Sequence, residues 1–261
     1  MNPVTVYLDV DGIRLEYRWI GSRATDLPVI VLLHEGLGCV DMWGTFPRDL
    51  SEATGHPVLV YSRQGYGRSD PKPAPWPLRY MHEEGLEVLP KVLVAAGLDN
   101  VILVGHSDGA SIALVYAGGV VNQHASALVL MAPHVFNEPE CVDSIEQART
   151  AYQTTALRKR LQRYHGDNVD HAFWGWNGAW LHRDFLSWNI EPYLPDVSVP
   201  VLLLQGEQDQ YGTSKQVDAI VRKIKGPAKS VFLSGCRHSP YIDQPQAVLA
   251  HIRHFLGQTE I

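Results

Sequence analysis

Cysteine is scarce in this chain of 261 residues, which contains only Cys39, Cys141 and Cys236. The three stand far apart and form neither a CxxC pair nor an even set. The sequence therefore predicts a reducing compartment and excludes a disulfide-stapled scaffold. The opening residues also lack the positive and apolar segments of a secretory signal, so we expect a cytoplasmic protein.

Excess positive charge and long apolar runs are lacking as well. The 22 Lys and Arg are outnumbered by 28 Asp and Glu, and the net charge of -6 argues against a nucleic-acid-binding protein. No stretch approaches the roughly 18 apolar residues that a membrane span needs, so we expect no membrane partner. Hydrophobic residues still make up 45% of the chain, which is enough for a large core and excludes a disordered protein.

Short runs of β-branched and aliphatic residues recur, each typical of a strand buried on both faces. These runs span residues 28–33, 58–61, 101–104, 127–131, 201–204 and 230–233. Helix-compatible segments lie between them, at residues 78–96, 108–117, 214–224 and 244–256. The alternation predicts an α/β fold with a mostly parallel sheet and helices on both faces. Before the first run, residues 4–17 alternate around Asp11-Gly12, which predicts a type I′ hairpin.

One stretch, residues 134–195, breaks this alternation because it is far longer than an ordinary connection between strands. It is helix-compatible, and it contains four of the seven tryptophans of the chain. We interpret it as a helical cap on a core formed by residues 1–133 and 196–261. A basic run at 158–163 within it is typical of a solvated helix face, although it would also suit the steering of an anionic substrate.

Residues 105–109 read Gly-His-Ser-Asp-Gly and lie between a strand run and a small-residue helix. This is G-x-S-x-G in the strand–turn–helix context that the motif requires. Such a sharp turn strains the serine backbone and needs small flanking residues, because the helix packs back against the strand. The pattern predicts Ser107 as a nucleophile, with the N–H of Asp108 facing any oxyanion formed there.

A serine nucleophile needs a base, and the base needs an orienting acid. In this type of site the acid and then the histidine follow the serine along the chain. Asp209 comes after the run 201–204, and His238 lies in a loop before the final helix. Both are therefore expected at carboxyl ends of strands, where catalytic groups gather in open sheets. Glu207 is a competing acid two residues before Asp209.

The loop His34–Gly38 follows the first central strand run, in the position that supplies the second backbone donor of an oxyanion hole. Its glycines allow the backbone to approach a substrate closely. We predict that the N–H of Gly36 is this donor.

Together these residues resemble the serine hydrolases of the α/β-hydrolase fold, over nearly the whole chain. The resemblance rests on residues 105–109, 34–38, 63–69, 206–209, His238 and 243–245. It implies an eight-stranded, mostly parallel sheet flanked by helices, with a helical cap inserted after the sixth strand, where residues 134–195 fall. Small molecules are the implied substrates.

The resemblance also implies the roles of individual residues. Ser107 corresponds to the nucleophile, His238 to the base and Asp209 to the acid, while the amides of Gly36 and Asp108 correspond to the oxyanion hole. Acyl transfer of this kind requires no metal and no organic cofactor. Relatives that open epoxides or remove halogens carry Asp at the elbow, so Ser107 argues against those activities.

Three positions depart from the family pattern. The oxyanion loop usually reads His-Gly, whereas Glu35 follows His34 here; we expect its carboxylate to turn away and pair with Arg63. Arg237 replaces a common glycine before the histidine. Asp108 stands where apolar residues are common, and we expect its side chain to bind a polar substrate group or to fix a pocket residue.

The substrate pocket is the least constrained part of the prediction. The candidate lining residues are Glu35, Trp43, His134, Trp174 and Trp176. In the competing interpretation the tryptophans, with Trp180 and Trp188, only pack the cap helices together. His251 and His254 lack acidic or cysteine partners nearby, so we predict no metal site.

Three functions remain open at this point. The first is hydrolysis of a small or medium ester, lactone or thioester. The second is C–C bond hydrolysis of an aromatic ring-cleavage product on the same fold, although those enzymes tend to carry a more glycine-rich oxyanion loop. The third is a non-catalytic ligand-binding homologue, against which an intact Ser, acid and His set argues.

Overall fold

The sheet confirms the predicted fold class. The structure, a computed structural model, describes residues 5–259, so Val4 of the hairpin and the outermost ends of the predicted core, residues 1–4 and 260–261, lie outside the described residues. Its eight described strands are β1 (Val6–Val10), β2 (Ile13–Ile20), β3 (Val29–Leu33), β4 (Val58–Tyr61), β5 (Val101–His106), β6 (Ala125–Met131), β7 (Val201–Gly206) and β8 (Ala228–Leu233).

The strands form one sheet in the order β1-β2-β4-β3-β5-β6-β7-β8. β2 runs antiparallel to both of its neighbours, and the other neighbouring pairs are parallel. The hairpin from β1 to β2 turns at Asp11 and Gly12, whose φ angles of 53° and 82° are both positive, as a type I′ turn requires. The carboxyl ends of the parallel strands therefore meet at one edge of the sheet.

Helices cover both faces of the sheet. They are α1 (Phe46–Thr54), α2 (Tyr80–Glu83), α3 (Leu89–Ala96), α4 (Asp108–Gly119), α5 (Pro139–Thr154), α6 (Leu157–His165), α7 (Val169–Trp180), α8 (Ser214–Lys223), α9 (Pro240–Asp243) and α10 (Pro245–Gln258). A π-helical turn, Glu84–Val88, joins α2 to α3. None of the helices within residues 5–259 is long and apolar enough to cross a membrane.

The continuous apolar runs serve both faces because successive side chains of a strand point in opposite directions. In β3, Ile30 and Leu32 pack with the helices α1 and α10, whereas Val31 and Leu33 pack on the opposite face with α3, α4 and α8. All four side chains are at most 1% exposed. Each central strand is thus buried on both sides.

The segment between β6 and β7 holds α5, α6 and α7, followed by the 3-10 turns Arg183–Ser187 and Glu191–Asp196. We call residues 139–196 the helical insertion. Its apolar side chains, such as Phe173 and Trp180, join the core cluster on the α4 face of the sheet. The exact division of the chain into a core and a cap remains a prediction.

The turn from β5 to α4 brings the helix and the strands close together. Ser107 has φ 54° and ψ -119°, a conformation that side-chain-bearing residues rarely adopt. A Cβ atom at Gly105 would lie 2.5 Å from the Gly109 carbonyl oxygen, and one at Gly109 would lie 2.0 Å from the Leu33 carbonyl oxygen. The small residues of the motif are therefore needed for this close approach of helix and strand.

We expect Gly109→Ala to lower the free energy of unfolding by about 1–3 kcal/mol, because its Cβ would overlap backbone that cannot shift cheaply. Urea denaturation followed by tryptophan fluorescence measures the change. Gly257→Ala is the matched control, since a Cβ at this exposed helical glycine meets nothing within 4 Å; it is expected to stabilise the chain by up to about 1 kcal/mol. Equal midpoints for Gly109→Ala and the wild type would contradict the packing argument.

Candidate active site

Three loops at the carboxyl edge of the sheet bring Ser107, His238 and Asp209 together. The Ser107 Oγ lies 3.0 Å from the His238 Nε2, and the His238 Nδ1 lies 2.9 Å from each Asp209 carboxylate oxygen. Glu207, the competing acid, is exposed to solvent, and the histidine contacts Asp209 instead. A hydroxyl in this arrangement can pass its proton to the imidazole, whose orientation the carboxylate fixes.

Asp209 is held by two partners that the sequence did not reveal. The Gln205 side-chain amide donates to Asp209 Oδ2 at 2.7 Å, and the Tyr211 backbone N–H donates to Oδ1 at 2.8 Å. Burial by itself raises the pKa of Asp209, but the interaction with His238 and the hydrogen bond from the Tyr211 backbone outweigh it, and the pKa lies below its ordinary value. The acid is thus ionised and fixed in place at neutral pH.

Buried side chains from the segment after β4 hold the loop His34–Gly38. The Arg63 guanidinium donates to the carbonyl oxygen of His34 at 2.5 Å and to that of Glu35 at 3.1 Å. The Tyr66 hydroxyl donates to the Gly36 carbonyl oxygen at 3.0 Å. Three successive carbonyl groups are therefore tied down, which fixes the peptide planes around the Gly36 amide.

The expected ion pair between the Glu35 carboxylate and Arg63 was wrong. Arg63 is only 1% exposed, lies beneath the loop and uses its N–H groups on main-chain oxygens. The Glu35 carboxylate instead lies 3.7 Å from the His106 Nδ1. Burial would raise the pKa of Glu35, yet His106 and the residue's own backbone N–H bring it below the ordinary value.

A cavity of about 240 Å³ opens above Ser107 and is lined by residues of the core and of the helical insertion. Of the candidate lining residues, Glu35, His134 and Trp176 border it, and so does Trp180. The insertion also contributes Cys141, Ile145 and Leu161, which the sequence analysis missed. A usable signal existed, because both 141/145 and 176/180 are spaced four residues apart, on one face of a helix.

Two candidate lining residues, Trp43 and Trp174, lie elsewhere, so that part of the prediction is corrected. Trp43 packs against Tyr241 at 4.7 Å between ring centres, in the core on the α1 side of the sheet. Trp174 lies two residues from Trp176, off the face that lines the cavity, and packs against Phe173 at 5.0 Å. Trp188 stacks on Phe185 within the insertion.

The side chain of Asp108 contacts Tyr80, which lies behind the cavity wall and in turn holds the lining residue Trp180. The Tyr80 hydroxyl donates to Asp108 Oδ2 at 2.5 Å and accepts a hydrogen bond from the Trp180 indole at 2.9 Å. Burial raises the pKa of Asp108 above its ordinary value. The backbone N–H of Asp108 stands at the N-terminus of α4, where amide groups lack partners within the helix.

Trp176 packs directly on the loop that contains the predicted donor Gly36. A Cβ atom at Gly36 would lie 2.1 Å from the Trp176 Nε1, so only glycine fits beneath this indole ring.

Among residues 5–259 there is no cluster of three or more His, Cys, Asp or Glu suited to hold a metal ion.

The chain is similar to known proteins over most of its length. A sequence profile described as "Alpha/beta hydrolase family" matches residues 30–251. The chain is similar to a proline iminopeptidase of Heyndrickxia coagulans, with 24% identity over 96% of this chain and 98% of that protein. It is also similar to epoxide hydrolase 3 of Xenopus tropicalis, with 26% identity over 95% of this chain and 76% of that protein.

Among solved structures, the fold is similar to that of a hydrolase from Pseudomonas aeruginosa PA01. The TM-score is 0.76 at 21% sequence identity, and the match covers 98% of this chain and 100% of that chain.

His134 yields a prediction about pH and stability. It is 2% exposed, and burial lowers its pKa to about 3. As pH falls below about 6.5, His134 binds a proton in the unfolded chain but not in the folded chain. Acidification therefore favours the unfolded state, and stability is lost. Between pH 7 and pH 5 this group alone should lower the free energy of unfolding by about 2 kcal/mol.

We therefore expect His134→Gln to lose less stability than the wild type over this pH range, as measured by urea denaturation at both pH values. His254→Gln is the control, because His254 is exposed on α10 and its replacement should leave the pH dependence unchanged. Equal losses in the wild type and His134→Gln would refute the assignment.

Proposed function

The chain belongs to the alpha/beta hydrolase family, and from that premise we propose that it is a serine hydrolase acting by acyl transfer on a small or medium ester, lactone or thioester. The observation that carries the proposal is the continuous chain of hydrogen bonds from Asp209 through His238 to Ser107. It ends on a serine whose backbone is strained into the nucleophile-elbow conformation.

In the proposed reaction, the Ser107 hydroxyl attacks the substrate carbonyl carbon while the His238 Nε2 takes up its proton. Asp209 keeps the other ring nitrogen protonated and stabilises the imidazolium that forms. The imidazolium then gives its proton to the leaving group, and the acyl group stays on Ser107. Water, deprotonated by His238, releases the acid and restores the serine.

The amides of Gly36 and Asp108 are the proposed oxyanion hole. Donors that are fixed before the reaction stabilise the negative charge of the tetrahedral intermediate without any cost of reorganisation. Fixation is supported at both positions: Arg63 and Tyr66 hold the carbonyl groups around Gly36, and the first turn of α4 holds the Asp108 amide.

The proposed cap is the segment 134–195, which consists mostly of the helical insertion, and its side chains set the size of the acyl group. Ile145, Leu161, Trp176 and Trp180 give the cavity a largely apolar wall. A volume of about 240 Å³ lies below the roughly 300–1,000 Å³ of drug-sized ligand sites. We infer a preference for short acyl chains.

Release of an N-terminal proline residue is a second candidate function, since the similar protein of Heyndrickxia coagulans is a proline iminopeptidase. One feature of the cavity favours it. Glu35 borders the cavity with 18% of its side chain exposed, and no Lys or Arg of residues 5–259 lines it. Such a carboxylate suits the charged amine of an N-terminal residue.

Hydrolysis of p-nitrophenyl esters of increasing acyl length tests the proposal. We expect turnover that declines beyond short acyl chains and that Ser107→Ala abolishes, because no other group replaces the nucleophile. Ser107→Ala should also lose covalent labelling by a fluorophosphonate probe, whereas Ser214→Ala, at an exposed position on α8, should retain both properties.

Three results would count against acyl transfer on esters. If a folded protein turns over prolyl p-nitroanilide but no ester, the peptidase candidate replaces it. If it acts on neither and bleaches a coloured dienoate, C–C hydrolysis replaces it. Absence of both turnover and labelling would favour a ligand-binding homologue.

Replacement of each of the two acids by its amide tests the assignment of Asp209. We expect Asp209→Asn to lower kcat by roughly 10²- to 10⁴-fold, because the amide no longer holds the histidine in its productive tautomer. The matched control is Glu207→Gln, whose exposed side chain should leave kcat within about twofold of wild type. The reverse pattern would make Glu207 the acid.

A further inference from the structure

His106, the residue before the proposed nucleophile, contacts the backbone of the proposed base. It is 1% exposed, and its Nε2 lies 2.7 Å from the main-chain oxygen of His238. A carbonyl oxygen can only accept a hydrogen bond, so the His106 Nε2 carries a hydrogen and donates it. The elbow thus holds the loop that carries His238, independently of the bond between Ser107 and the His238 ring.

The opposite side of the same imidazole faces Glu35. The Glu35 Oε2 lies 3.7 Å from the His106 Nδ1, so the carboxylate packs against this edge of the ring without a direct hydrogen bond. The carboxylate rests against Gly38, where an added Cβ would lie 2.2 Å from Oε2. Glycine at position 38 therefore leaves the space that the Glu35 side chain occupies.

We propose that Glu35 is a positioning residue that acts through His106 on the backbone of His238. The line from Glu35 to His106 to the His238 carbonyl joins the oxyanion loop, the elbow and the loop of the base. It gives a reason for glutamate where glycine is usual after His34. The inference rests on the proposed function, because it assigns His238 as the base that is being positioned.

A double-mutant cycle tests this proposal, with p-nitrophenyl acetate as the substrate. Active sites are titrated with a fluorophosphonate and kcat is expressed per titrated site, so that unfolded protein does not lower the measured value. We expect Glu35→Ala and His106→Leu each to lower kcat by roughly 10- to 100-fold, because misplacing the base costs rate. KM should stay within about twofold. The double variant should be no slower than His106→Leu alone, since Glu35 then has nothing to act through.

Two further variants keep the test independent of damage by truncation. His106→Gln retains an N–H donor near the position of the ring Nε2 and should recover kcat to within about tenfold of wild type. Gly38→Ala keeps both side chains but displaces the carboxylate, and should reproduce the loss seen in Glu35→Ala. Glu52→Ala is the matched control, because Glu52 is exposed on α1 and pairs with Arg48.

Additive losses in the cycle would overturn the proposal, because the two residues would then act independently. So would a loss in Glu35→Ala confined to prolyl substrates, which would make Glu35 a ligand for the substrate amine. If the wild type is labelled by fluorophosphonate but hydrolyses no ester, the rate of Ser107 labelling replaces kcat as the quantity measured in the cycle. If it neither labels nor turns over, the proposed function fails first and the inference with it.

Discussion

The strained backbone of Ser107 is the constraint on which the rest of the site depends. A positive φ at a residue with a side chain costs on the order of 1–3 kcal/mol, and the surroundings must hold it there. They do so by packing α4 so closely on β3 and β5 that Gly105 and Gly109 admit no Cβ atom. The same turn places Asp108 in the wall of the cavity and brings the Ser107 hydroxyl within 3.0 Å of the His238 ring.

Arg63 fixes the loop around Gly36, and its burial carries an electrostatic cost. A buried guanidinium is expensive unless its N–H groups are satisfied and its charge is balanced. Here main-chain oxygens accept from it, and the buried acids Glu84 and Asp108 lie close enough to influence its pKa. The segment after β4 is therefore part of the site, because it determines the shape of the loop around Gly36.

Sequence reasoning succeeded where backbone geometry decides the outcome. The apolar runs marked every parallel strand to within a few residues, and the elbow and the order of acid and histidine identified Ser107, Asp209 and His238, which the structure brings together. Sequence reasoning was less successful where the direction of a side chain decides which residues it contacts. Trp43 packs on the far face of the sheet, and the Glu35 carboxylate turns toward His106 rather than Arg63, neither of which composition or spacing reveals.

The helix α7 links the pocket wall to the proposed oxyanion hole. Trp176 rests on Gly36, and Trp180 is bonded through Tyr80 to Asp108, so the two indoles reach the two residues whose amides form the proposed hole. Because packed interiors transmit small displacements, a substitution that enlarges the acyl pocket at either tryptophan must also loosen one of these residues. For the proposed acyl transfer, acyl-chain preference and rate are therefore coupled at these two tryptophans. A wider pocket is better sought at Ile145 or Leu161, whose apolar side chains border the cavity and cannot hydrogen-bond to Gly36 or Asp108.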